Sequence, residues 1–257
     1  MIGSTALVER LRDAGCVFAE DEARMLVEAA ESDAHLERMV ASRINGLPLE
    51  VVLGWVEFCG VRLAVEPGVF VPRRRTELLV RAAAEGGLSG RTVVDLCCGT
   101  GAVAAALLAV DPTVSVFATD IDPAAVRNAR RNLPPDAVFE GDLFAALPGR
   151  LRGRIDLVVA NAPYVPTGEI ANMPREARLF EAPAALDGGV DGLDLHRRIT
   201  AAAPEWLAPG ARLIIESSER QAPATAELAE RAGLRARITR SRKLDATAVV
   251  CVLAPDS

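Results

Sequence analysis

Four short apolar runs in this chain end on side chains that can hold a ligand. Asp95 stands next to last in "TVVDL", Asp120 closes "VSVFATD" and Asp142 closes "AVFEGD". Asn161 follows "IDLVVA" at the head of Asn161-Ala162-Pro163-Tyr164, which contains the only tyrosine of the chain. Acids at strand ends can take ribose hydroxyls, and a side-chain amide can both accept and donate to a planar group. After Asp95 the sequence reads "DLCCGTGAVAAALL", where Gly99 and Gly101 allow a tight turn before an alanine-rich helix. A strand, glycine turn and helix in succession aim backbone N–H groups and a positive helix end at a ligand. The dinucleotide pattern G-x-G-x-x-G and the P-loop lysine are missing, which argues against NAD and ATP. Asp120 stands about where an acid meets the ribose in nucleotide-binding βαβ units. Asp122-Pro123 reads as the cap of the next helix. Singly, each feature has a plainer reading: a loop-orienting acid, an ordinary turn, a helix cap, a strand stop. Three acids and an amide in this order favour one site.

The elements that must position them alternate strand and helix from Thr76 onward. The strands "TVVDL", "VSVFATD", "AVFEGD", "IDLVVA" and "ARLIIES" are short and apolar, as strands buried on both faces of a parallel sheet should be. "LRARITRS" and "ATAVVCVLA" leave no room for a helix between them and should pair antiparallel. The fold class is therefore α/β, with a Rossmann-like, mostly parallel sheet and an antiparallel C-terminal hairpin. All the polar strand ends face one crevice, where open α/β sheets bind ligands. Three helical patterns precede this, "STALVERLRDAG", "EDEARMLVEAAE" and "DAHLERMVASRING". They define a small helical module over residues 1–52. "GWVEFCGVRLAVEPGVFVP" alternates around Gly60 as a hairpin linker over residues 53–75, and residues 76–257 form the main domain.

The 257 residues are half apolar, enough for a sizeable core, and the formal charge of −6 argues against a broad nucleic-acid-binding surface. Five cysteines without C-x-x-C pairing and two histidines suggest neither a disulfide framework nor a metal site. No secretory leader or membrane span is evident, so the chain reads as cytoplasmic and reduced. Arg73–Arg75 reads as a solvated charge run, and Thr76-Glu77 as a helix cap with a first-turn acid. His35 and His196 read as structural, and Cys97 and Cys98 as small packing residues. "ALDGGVDGLD" reads as a turn-rich lid edge near the substrate, with Asp187 and Asp191 exposed.

"DLCCGTG", "TDID", "GDLF" and "NAPY" together resemble the class I S-adenosylmethionine-dependent methyltransferases. More narrowly, they resemble the protein-(glutamine-N5) methyltransferases that modify peptide-chain release factors. "RINGLPLEVVLGWVEFCG", "VFVPRRRTELLV" and "AALDGGVDGLDLHRRI" are similar to family segments outside the cofactor loop. The likeness runs from Arg43 to about Gln221. It implies methyl transfer from S-adenosylmethionine to a glutamine side-chain nitrogen in a protein, leaving S-adenosylhomocysteine and using no metal. The implied partner is the protein that carries the glutamine, a release factor in that family; no membrane is expected, and the net negative charge argues against nucleic acid. The helical module would help to hold that partner.

By the same resemblance, Gly99, Thr100 and Gly101 hold the cofactor's amino-acid end, Asp120 its ribose, and Asp142 with Leu143 its adenine. Asp95, Cys97, Ile121 and Asn161 complete the cofactor set, and Phe70 lies in a segment that covers it. Asn161 and Tyr164 would be catalytic, with Ala162 and Pro163 also against the substrate. The side-chain oxygen of Asn161 and the carbonyl of Ala162 can accept the two protons of a planar amide and aim its nitrogen. Because it precedes Pro163, Ala162 is restricted to extended backbone, which directs its carbonyl. The family motif is usually N-P-P-Y, so Ala162 is a departure. So are Cys97 and Cys98 where the family often has Gly and a small residue, and Glu181-Ala182 where Glu-Pro is expected. The helical module is also shorter than usual. Two alternatives stay open: a methyltransferase for an exocyclic amine of RNA or DNA, and a binding protein of this fold without turnover.

Overall fold

Apolar residues at helical spacing produce three helices before Leu47: α1 (Ser4–Asp13), α2 (Ala19–Ala29) and α3 (Asp33–Ile44). The computed structural model describes residues 4–173 and 175–255; residues 1–3 and 256–257, at the outer ends of the first and last expected domains, lie outside them. Leu7, Leu11, Leu26, Leu36 and Val40 close a small core of their own between the three helices. Glu22 on α2 takes the Arg43 guanidinium of α3 at 2.6 and 3.2 Å, which locks this module. A short helix α4 (Leu49–Leu53) follows, ended by Gly54 in the left-handed region at φ 76°. Its five residues hold too little periodicity to stand out in sequence, and it spans the 52/53 boundary expected there.

The hairpin forms as expected, with β1 (Trp55–Phe58) and β2 (Val61–Ala64) antiparallel around Cys59 and Gly60. Its inward residues Val56, Phe58 and Leu63 share a core with the main domain. Then come α5 (Glu77–Ala84), β3 (Thr92–Leu96), α6 (Ala102–Val110), β4 (Ser115–Asp120), α7 (Pro123–Asn132) and β5 (Val138–Glu140). The chain continues through β6 (Ile155–Ala160), α8 (Arg175–Phe180), α9 (Asp194–Trp206), β7 (Leu207–Ser217), α10 (Ala222–Arg231), β8 (Leu234–Ser241) and β9 (Ala246–Leu253).

Strand order is β5-β4-β3-β6-β7-β9-β8, parallel from β5 to β7. β9 runs antiparallel between β7 and β8, so the expected C-terminal pairing is present. Both sheet faces are buried, and successive residues alternate between two cores. Val93, Leu157 and Ile214 enter one; Val94, Val158, Leu213 and Ile215 enter the other. The alternation of period two explains why these strands read as unbroken apolar runs. The chain winds outward from β3 to β5 and returns to β6, so strand order reverses between β3 and β6. Ligands of open α/β sheets bind at that reversal, beyond the carboxyl ends of the strands. No described helix is long and apolar enough to cross a membrane.

Candidate active site

A cavity of about 490 Å³ opens at the carboxyl ends of β3, β4 and β6. Phe70, Asp95, Cys97, Gly99, Thr100, Asp120, Ile121, Asp142, Leu143 and Asn161–Tyr164 all line it. Gly101 stands back from the wall. A side chain there would begin 2.7 Å from Leu133 Cδ1, so the glycine lets α6 pack against α7.

Asp95 is 2 % exposed and accepts the Ala104 N–H at 3.1 Å, fixing the first turn of α6. Burial pushes its pKa up to about 7, opposed by that N–H and aided by the charge of Asp120. Asp120 accepts Gly99 N–H on one oxygen at 2.8 Å and Asp122 N–H on the other at 3.0 Å. Burial raises its pKa, and these N–H groups oppose the rise. Asp122 caps α7 through Ala124 N–H at 2.8 Å, as its position before Pro123 predicts. Asp142 pairs with Arg198 of α9. Cys97 adopts φ 57°, a left-handed conformation that favours glycine. Its thiol is held protonated, first by burial and then by the charges of Asp120, Asp95 and Asp142.

The turn after β6 is braced from behind. Asn161 Nδ2 donates to the Thr76 hydroxyl at 3.2 Å. No hydrogen bond reaches Asn161 Oδ1 or the Ala162 carbonyl among the described residues. The Tyr164 hydroxyl donates to Glu216 Oε1 at 3.3 Å, and Arg75 Nε donates to the same oxygen at 3.2 Å. Burial pushes the Tyr164 pKa up to about 12. Gln221 Nε2 donates to the carbonyls of Tyr164 and Asp191, both at 2.9 Å, and ties the turn to the loop before α9. Gly192 lies so close that a Cβ would overlap the Tyr164 carbonyl. Asp187 and Asp191 are exposed on this loop, as expected.

Two readings of the "RRRT" segment are corrected. Thr76 is buried and makes no side-chain cap to α5, because its hydroxyl is turned to Asn161. The arginine run is solvent-facing but not merely solvated: Arg73 and Arg75 pair with Glu181 and Glu216, whose side chains are almost fully buried. Sequence reasoning also passed over Asn132, which donates to the carbonyls of Thr100 and Ala64, both at 2.9 Å, and so links hairpin and glycine turn. Glu216 could have been found. It stands next to last in "ARLIIES", at the same sheet edge as Asp95 and Asp120, where the same strand-end argument applies.

The family model for the methyltransferase small domain matches residues 60–190. The release factor glutamine methyltransferase of Geobacter sulfurreducens is 39% identical over 199 residues, covering 76% of this chain and 69% of that protein. Its counterpart in Cereibacter sphaeroides is 36% identical over 248 residues, covering 91% and 87%. The chain belongs to the release factor glutamine methyltransferase family. Its fold is that of class I methyltransferases. A methyltransferase from Pyrococcus furiosus superposes with a TM-score of 0.57 at 13% identity, covering 77% of this chain and 90% of that one. The Thermus thermophilus 16S rRNA N2 G1207 methyltransferase, in complex with AdoMet and guanosine, superposes at 0.56 with 20% identity, over 77% and 49%.

Family and fold are S-adenosylmethionine-dependent, and the cavity suits that cofactor. Asp120 gives it an acceptor at the end of β4, Asp142 stands there paired with Arg198, and Phe70, Ile121 and Leu143 offer apolar surface to a base. Its volume falls in the range of ordinary small-molecule sites, roughly 300–1,000 Å³.

Proposed function

We propose that this protein transfers the methyl group of S-adenosylmethionine to the side-chain nitrogen N5 of a glutamine in a peptide-chain release factor. The names of its relatives at 39% and 36% identity support the substrate class. One observation carries the chemistry: two acceptors, Asn161 Oδ1 and the Ala162 carbonyl, stand unpaired among the described residues at the end of β6.

An amide nitrogen is a poor nucleophile because its lone pair is delocalised into the carbonyl. Two fixed acceptors on its protons aim that lone pair and stabilise the positive charge that develops on nitrogen. The extended backbone before Pro163 directs the Ala162 carbonyl. Tyr164, held by its hydroxyl on Glu216, offers a flat face to the planar amide. No general base is needed, since the alkylated amide is acidic enough to release its proton to water. When bound, S-adenosylmethionine supplies an activated methyl group on a sulfonium. Gly99 and Thr100 would hold its amino-acid end, Asp120 its ribose, and Asp142 with Leu143 its adenine. Residues 76–257 would carry the chemistry, with the helical module of residues 1–52 helping to hold the partner.

The experiment is incubation with labelled S-adenosylmethionine and a purified release factor, followed by mass spectrometry of the peptides. One added methyl on a glutamine side chain is the expected result. Label in RNA, or none in the release factor, would refute the reading.

A further inference from the structure

Ala160 of β6 pairs with Ile215 of β7, so Asn161, one residue past the end of β6, sits beside Glu216, which is still paired to β9. Glu216 is 3 % exposed. Its Oε1 takes both Tyr164 and Arg75, while its Oε2 is buried with no hydrogen-bond partner among the described residues. Leaving a buried acceptor unpaired is costly, so the nearest free proton matters. Thr76 follows Arg75, which holds Glu216 Oε1, and its hydroxyl meets Asn161, the neighbour of Glu216 across the sheet, so its proton is the candidate. Burial pushes the Glu216 pKa up, and the Thr76 hydroxyl is the first group that opposes it. The Thr76 oxygen already accepts from Asn161 Nδ2, and its own proton meets no other acceptor among the described hydrogen bonds.

We propose that Glu216, acting through Thr76, sets which way round the Asn161 side chain lies. The inference deepens the methyl-transfer reading and rests on it. The oxygen and nitrogen ends of an asparagine amide are nearly the same size, so packing alone cannot choose between them. Hydrogen-bond polarity can. An ionised carboxylate only accepts, so the Thr76 hydroxyl donates to it. Thr76 then presents a lone pair to Asn161, which must answer with Nδ2. Oδ1 is thereby turned towards the cavity as an acceptor. Were the far end of this relay a donor, Thr76 would give its proton to Oδ1 and withdraw that oxygen from the substrate. Glu216 and Thr76 are positioning residues in this scheme, and neither needs to touch the reacting atoms.

The test compares Thr76→Val, Thr76→Ser, Asn161→Ala and the Thr76→Val/Asn161→Ala double variant for release-factor methylation, with cofactor affinity measured by calorimetry. Thr76→Val keeps the shape and removes the hydroxyl. It should lower kcat by about 10–100-fold, the range for losing a partner that orients an active group. Cofactor affinity should change little, Thr76→Ser should restore the rate, and Thr76→Val should cost nothing more once Asn161 is alanine. The same loss in both backgrounds, or no loss in either, overturns the relay. Full rate in Asn161→Ala would instead overturn the methyl-transfer reading itself. A measurement free of substrate uses the side-chain amide protons of Asn161, followed by NMR. They should exchange with water about tenfold faster in Thr76→Val, and unchanged exchange overturns the relay whatever the substrate. Should Thr76→Val not fold, Glu216→Gln serves: its amide can donate to Thr76 and reverse the polarity. A wild-type rate in that variant also overturns the proposal.

Discussion

Gly99 N–H donates to Asp120 Oδ2 at 2.8 Å, so the acid that ends β4 grips the glycine turn that follows β3. The second oxygen of Asp120 takes Asp122 N–H, and Asp122 in turn caps α7. One carboxylate therefore organises the loops after two adjacent strands.

Asp120→Ala should weaken S-adenosylmethionine binding by roughly 1–3 kcal/mol, the cost of leaving buried polar groups without a partner. The loss combines a missing acceptor with a loosened Gly99 turn. Asp120→Asn keeps one acceptor oxygen and should fall between wild type and alanine. Isothermal titration calorimetry decides it, and unchanged affinity in Asp120→Ala would remove this residue from the site.

Cys97 carries a backbone conformation that suits glycine, at φ 57°. A non-glycine residue in that region costs about 1–2 kcal/mol. Cys97→Gly should therefore be neutral or stabilising, by up to about 1 kcal/mol after the added flexibility of the unfolded chain is counted. Cys97→Val, branched at Cβ, should destabilise by roughly 2 kcal/mol. Urea denaturation of both variants tests this, and equal effects would mean that the side chain, not the backbone, governs the position.

Local signals were the legible ones. Asp122-Pro123 announced a cap because a cap is written within three residues. "LRARITRS" and "ATAVVCVLA" announced an antiparallel pair because only Arg242–Asp245 separates them. The strand-end acids and the Asn161 turn were readable because strand ends of a parallel sheet converge wherever the chain goes. Thr76 was misread for the opposite reason. Beside Glu77 it satisfies every local rule for a cap, and only the fold reveals that Asn161 competes for its hydroxyl. Arg75 and Glu216 are likewise partners across 141 positions, and no local pattern records such a pairing. The nearness of Gly192 to the Tyr164 carbonyl is a backbone contact between loops, which residue types do not encode.

His196 on α9 is fully buried, with Nδ1 on the Thr225 hydroxyl at 2.8 Å. Burial pulls its pKa down from 6.5 to about 4. Between these values the unfolded chain binds a proton that the folded protein refuses. The stability contributed by neutral His196 is thus complete above about pH 6.5 and is lost as pH falls through about 4. The slope is about 1.4 kcal/mol per pH unit at most. Asp95, with a raised pKa, acts with the opposite sign over an overlapping range, so the wild type must be compared with a variant. His196→Gln keeps a polar partner for Thr225 but cannot titrate. Its stability should fall less than that of wild type between pH 7 and pH 4.5, measured by chemical denaturation. Parallel curves would show that His196 titrates normally.

The decisive variant is Asn161→Ala. It removes the side-chain acceptor and leaves the Ala162 carbonyl, so a bound amide keeps one of its two guides. Removing one preorganised polar group from a transition state costs about 10²–10³ in rate, or roughly 3–4 kcal/mol. In the proposed binding mode the cofactor is held mainly by the β3 and β4 loops, so its affinity should fall far less than kcat. Asn161→Asp keeps an acceptor but loses Nδ2, the donor that Thr76 accepts at 3.2 Å. It also puts a second carboxylate near buried Glu216, so it should be impaired on electrostatic grounds. Tyr164→Phe keeps the aromatic face and gives up only the bond to Glu216, which makes it the mildest of the three. Single-turnover methylation of a release factor, with folding checked by circular dichroism, ranks them. If folded Asn161→Ala works at nearly the wild-type rate, the turn after β6 only ends a strand, and another group must aim the nitrogen.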